Sequence, residues 1–126
     1  MGKYGSVTKN AVDLFRHENT NTPKAAWDTA AKDKFPRNLS SQNKSCPRDT
    51  FLGLCSAGSV VDIPSGHYTK SIKNKQYGID ALNRLKPDPA CGNMSSEELW
   101  RKIVSNVRHN GQMDVVITLW NGNLLR

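Results

Sequence analysis

Apolar residues recur along this chain every three or four positions, the spacing that gathers them on one side of an α-helix. Tyr4, Val7, Ala11, Leu14 and Phe15 make the first stripe, and Ala26, Trp27, Ala30, Ala31 and Phe35 the second. Phe51, Leu54 and Cys55 mark a third helix, and Ala81, Leu82 and Leu85 a fourth. Leu99, Trp100, Ile103, Val104 and Val107 predict a fifth, and Met113, Val116, Ile117 and Trp120 a sixth. Local signals agree with this pattern. Thr22 can cap the second helix, with Pro23 at its first position, where the missing N–H costs nothing. Glu97 and Glu98 suit the positive end of the fifth helix, and Gly58 and Gly122 look like C-terminal stops. The piece Val60, Val61, Ile63 is the only plausible strand, because no run alternates apolar and polar in a β-rich composition. The expected fold class is all-α.

The helices repeat. Lys9 to Phe15 matches Ile79 to Leu85 in apolar pattern, Thr22 to Trp27 matches Ser95 to Trp100, and Asp49 to Val60 matches Asp114 to Leu125. Three matches in the same order argue for duplication. The expected architecture is two diverged copies of a three-helix unit, residues 1 to 63 and 64 to 126, packed about a pseudo-two-fold axis as one compact domain. Neither half carries enough apolar surface to be stable alone.

The segments TPKAAWD, SSQNKSCP with the following FLGLC, and QMDVVITLW resemble a family of small bacterial proteins catalogued as a domain of unknown function. The resemblance extends over the whole chain. It implies a bacterial or phage origin and carries no assigned activity.

Composition narrows the setting. No stretch approaches the roughly 18 apolar residues of a membrane helix, and the polar start lacks a signal-peptide core, so a cytoplasmic location and no membrane partner are expected. Cys46, Cys55 and Cys91 are an odd number at wide spacings, which fits neither a disulfide framework nor a zinc site and leaves them as reduced thiols. Cys55 falls on a helix stripe and reads as core. Cys91, in the loop KPDPACGN, reads as exposed. No glycine-rich phosphate loop, no histidine pair four residues apart and no GxSxG elbow is present, so no cofactor or metal is expected. His17 and His67 are isolated and read as surface residues.

Charge changes the picture further. The formal net charge is +7, and with nine basic residues in each half the excess is spread over the fold rather than held in a tail. A structured surface would have to meet an acidic partner, nucleic acid foremost. Lys34 to Arg48 holds Lys34, Arg37, Lys44 and Arg48 without an acid and leads into the third helix. Arg101, Lys102, Arg108 and His109 precede the sixth in the same way, and His67 to Lys75 is a third acid-free run joining the copies. Helix starts favour phosphate through free N–H groups and the dipole. These eight residues are the candidate anion-binding set, provided the loops meet on one face; otherwise they are solvated loops.

Two sharper readings compete. A helix-turn-helix could use the short turn at Asn110 and Gly111, but the following helix offers no Arg or Lys to base edges. Cys46 beside Pro47 at a helix start, with His109 in the corresponding loop of the second copy, could pair as nucleophile and base; the plainer view is a capping cysteine. Trp27, Trp100 and Trp120 lie on stripes and read as core anchors rather than base-stacking platforms. The leading expectation is a non-enzymatic binding module that engages nucleic-acid backbone. The rivals are a protein-interaction module regulating or inhibiting another bacterial protein, and a Cys46/His109-dependent enzyme.

Overall fold

A computed structural model of the chain describes residues 2–17 and 21–126. Helix α1 spans Lys3–His17, α2 Pro23–Lys34, a single-turn α3 Leu39–Gln42, α4 Ser45–Ser56, α5 Ile72–Leu85, α6 Ser96–Ile103 and α7 Gln112–Asn121, with a 3-10 turn at Pro89–Asn93 before α6. Among the described residues there is no strand, only an isolated antiparallel bridge between Val60 and Leu125. The fold is all-helical.

The starts of these helices follow from their sequence. The Thr22 side chain accepts from the Ala25 N–H at 3.0 Å, with Pro23 in the first turn of α2. Ser95 and Glu98 form a reciprocal capping box on α6, which satisfies two backbone donors that would otherwise lack partners. Ser71 caps α5 through the Asn74 N–H. That cap starts α5 earlier than the apolar stripe suggests, so the end of the acid-free run His67 to Lys75 is helix rather than connector.

Two expectations are corrected and a third is refined. Helix α6 stops at Ile103 and Val107 lies outside it, exposed. Val104 is already extended, Asn106 adopts a positive φ of 63°, and the Val107 carbonyl turns back to accept the Trp100 indole N–H at 2.7 Å. Cys91 is buried, not exposed, because the 3-10 turn folds it against α5 and α7. Gly122 ends α7 but keeps a negative φ; the left-handed position beyond that helix belongs to Asn123, at φ 58°, as it does to Gly58 beyond α4, at φ 73°.

Helix α7 is the hub. It packs against α1, α4, α5 and α6 and buries Met113, Val115, Val116 and Leu119. Trp27 and Trp100, each five residues beyond its cap, are both buried, whereas Trp120 is only partly covered. Trp27 stacks on Phe51 with centroids 5.3 Å apart. Trp100 meets Tyr77 edge-on at 4.8 Å. A helix this enclosed cannot lie in a DNA groove, so the turn at Asn110 and Gly111 does not present α7 as a reading helix. No described helix is long and apolar enough to cross a membrane.

Candidate polyanion-binding surface

Three acid-free runs were distinct features of the sequence, and the first turn of α4 touches all three. Lys44, at the N-cap of α4, supplies no side-chain hydrogen bond, so the opening N–H groups of this helix have no side-chain acceptor at that position. Its ammonium stands 5.5 Å from the centre of the Tyr4 ring, an arrangement favoured by the ring quadrupole. Tyr4 organises the loop before α4: its hydroxyl donates to the Ser41 carbonyl at 2.9 Å, its ring lies 5.4 Å from Phe35, and burial pushes its phenol above the usual pKa.

Gly111 brings in the second run. It sits at φ 84°, and a β-carbon there would stand 3.2 Å from the Tyr4 ring and 3.4 Å from Pro47, so the backbone before α7 lies directly against the start of α4. A side chain is therefore disfavoured at Gly111 both by conformation and by space. Arg108 is exposed two residues before this glycine's neighbour Asn110. Arg101 and Lys102 are exposed on α6, which joins the same loop through the Trp100 to Val107 hydrogen bond.

The third run meets α4 on its other side. Arg48 and Asp49 share a groove of about 400 Å³ with Lys24 of α2 and with His67, Tyr68 and Lys70 of the connector. The Tyr68 N–H donates to the Ser56 hydroxyl at 3.0 Å and its own hydroxyl to the Pro64 carbonyl at 2.7 Å, which fixes the connector along α4. Lys24, His67 and Lys70 were not among the eight candidates. The acid-free character of the connector pointed towards His67 and Lys70; nothing local marked Lys24, which forms an ordinary i,i+4 pair with Asp28 at 3.0 Å.

The candidate cations are not equivalent. Lys34 and Arg37 are exposed at the end of α2 and just after it. Arg48 is half-buried and engages Asp49 at 3.3 Å, and Arg101 donates through Nε to the Glu97 carbonyl at 3.3 Å. His109 is occupied internally. Its Nε2 accepts the Met113 N–H at 3.0 Å, its Nδ1 faces Glu97 at 3.4 Å, and its ring lies against Trp100. That makes the imidazole a cap for α7.

The same geometry bears on the proposed pair. Cys46 is partly exposed, and its carbonyl accepts from Thr50 at 2.9 Å. Among the described residues no hydrogen bond joins it to His109, both of whose nitrogens have other partners. Cys55 is fully buried, and burial pushes its thiol well above the ordinary value.

The chain belongs to a family of unknown function (DUF6979), whose model matches residues 1–126. No curated protein and no solved structure matches it.

Proposed function

We propose that the chain is a non-enzymatic binding module that engages a polyanion, nucleic-acid backbone in particular, around the first turn of α4. The observation that carries this is the meeting of three acid-free segments at that turn: Lys44 before it, Gly111 with its neighbour loop against Pro47, and Arg48 in the groove with Lys24, His67 and Lys70. An uncapped helix start flanked by cations favours phosphate through both N–H donors and charge. Helix α7, which follows the short turn, is enclosed, so recognition falls on phosphate rather than on base identity. Arg48 and His109 act chiefly as internal partners, leaving Arg37, Lys44, Lys70 and Arg108 as the principal contacts. A bacterial cytoplasmic location is part of this reading, supported by three cysteines that form no disulfide and by the resemblance to small bacterial proteins.

The test is fluorescence anisotropy with labelled single- and double-stranded oligonucleotides over about 50 to 200 mM salt. Affinity should fall linearly in log–log form, with a slope of about −0.9 per duplex phosphate neutralised. Lys70→Gln and Arg37→Gln should each weaken binding to all sequences alike and reduce that slope by about one. Affinity indifferent to salt, or no binding at the low end, would remove the basis of this reading.

We also propose that the fold is two diverged copies, with α1, α2 and α4 matched by α5, α6 and α7. The support lies in reciprocal hydrogen bonds around the Val60–Leu125 bridge. Val61 N–H donates to the Leu124 carbonyl at 2.8 Å, and Arg126 N–H donates to the Ser59 carbonyl at 2.9 Å. The corresponding residues differ by 65 in both bonds. The same offset relates the caps: Ser59 N–H to the Leu54 carbonyl is repeated by Leu124 to Leu119, and Gly58 to Cys55 by Asn123 to Trp120. Across the copies α4 packs on α5 as α1 packs on α7, with α4 against α7 between them.

A further inference from the structure

A cleft of about 670 Å³ between α1, α7 and the 3-10 turn shares no lining residue with the basic groove. That volume is in the range of small-molecule sites. Its chemistry opposes that of the rest of the protein. From α1 it is lined by Lys9, Asp13 and Arg16, one face of the helix, and from α7 by Asp114, Thr118 and Asn121. Arg16 pairs with Asp62 at 3.1 Å, whereas Lys9, Asp13 and Asp114 enter no ion pair among the described residues. With the Arg16 pair counted as neutral, the cleft offers one cation and two carboxylates on a chain of net charge +7. A phosphate chain is poorly served there. A ligand with an ammonium group is well served, and the lysine gives a second, opposite group its partner.

Two features indicate that the cleft is built rather than incidental. The Asp114 carboxylate is held on one side by the Ser96 hydroxyl, and Gly2 packs so close that a β-carbon would collide with its other oxygen. It is thus an oriented acceptor. Thr118 is only 8% exposed, and among the described residues its hydroxyl has no hydrogen-bond partner, an unfavourable arrangement for a buried polar group that nothing satisfies. Rotation about χ1 exchanges its hydroxyl and methyl between staggered positions, so a polar ligand atom in the cleft can become the missing partner.

We propose that this cleft binds a small zwitterion of the amino-acid class, free or as a dipeptide, with its ammonium on Asp114 and Asp13 and its carboxylate on Lys9. The test is titration of the full chain, followed by calorimetry and by ligand-observed NMR, with the proteinogenic L-amino acids and glycyl dipeptides. Inorganic phosphate and putrescine serve as purely anionic and purely cationic probes. At least one zwitterion should bind, and its N-acetylated form should not. Thr118→Val, which keeps the side-chain shape, should weaken that ligand by about 3- to 10-fold, the size of one hydrogen bond, with the circular dichroism spectrum retained and the melting temperature of the free protein equal or higher. Asp114→Asn should weaken it by more than 10-fold. Failure of every zwitterion to bind, equal binding of the N-acetylated form, putrescine or phosphate binding in place of the zwitterions, or unchanged affinity in folded Thr118→Val would each overturn the proposal. Nucleic-acid binding at α4 is measured separately and is unaffected by any of these outcomes.

Discussion

Burial sorts the three cysteines into distinct chemical roles. Cys55 lies in the core with its thiol pushed up, so the folded chain keeps a proton that the unfolded chain gives away once pH exceeds the free-thiol value of about 8.5. More protons bound in the native state means stability falls as pH rises. Below about 8.5 both states are protonated and the contribution is flat; above it, the urea midpoint should drop, with a slope of up to about 1.4 kcal/mol per pH unit from this residue. Tyr4, its phenol also raised by burial, adds a decline in the same direction above about 10. Cys55→Val should flatten the first part of that curve, and an unchanged curve would show that the thiol has no part in it. Native labelling with a thiol reagent should reach Cys46 first and leave Cys55 and Cys91 protected until the chain unfolds. His109→Ala should cost about 1 kcal/mol through loss of the α7 cap while leaving the rate of Cys46 labelling unaltered. A marked fall in that rate would instead connect the two residues functionally.

Among the helices, the caps and tryptophans carry the clearest consequences. Trp27→Ala and Trp100→Ala should each destabilise by about 3 to 5 kcal/mol, a large share of the stability of so small a domain. Replacement by phenylalanine separates them: Trp100 loses its hydrogen bond to the Val107 carbonyl and should cost about 1 kcal/mol more than Trp27, whose indole nitrogen has no partner among the described residues. Chemical denaturation measures both, and equal costs would contradict that distinction. Beyond α4 and α7 the chain turns through left-handed residues. Gly58→Ala should cost about 1 kcal/mol or more, because alanine pays for a positive φ; Asn123→Gly should be neutral or mildly stabilising, since glycine adopts that conformation freely.

For the whole molecule, the joining contacts run between the proposed copies as well as within them. Helix α4 packs on α5, α1 on α7, and the two chain segments after α4 and α7 meet at Val60 and Leu125. Each half separated from the other would expose those faces to water. Residues 1–63 and 64–126 expressed apart should therefore be unfolded, and mixing them should restore helical signal; a cooperative melt from either half alone would show that it folds independently. The same juxtaposition gathers the basic segments, so folding and the proposed binding surface depend on one set of contacts.

Periodicity in the sequence was sufficient for the six longer helices and most of the core, because burial of one stripe per helix is a local constraint that the amino-acid order must satisfy by itself; the single-turn α3, which buries no residue, left no stripe to read. Thr22, Pro23, Trp27 and Trp100 are legible for that reason, and so are the three acid-free runs. Helix ends were less legible: α6 stops short because the Trp100 indole captures a carbonyl beyond it, and α5 starts early because Ser71 caps it, each a competition of hydrogen bonds that apolar spacing does not register. The burial of Cys91, the capture of His109 as a cap, the grouping of Lys24 with Arg48 and Lys70, and the mixed-charge cleft facing Asp114 were decided only by the tertiary structure. Each depends on which surfaces come within a few ångströms of one another, a choice made by packing between segments far apart in the chain.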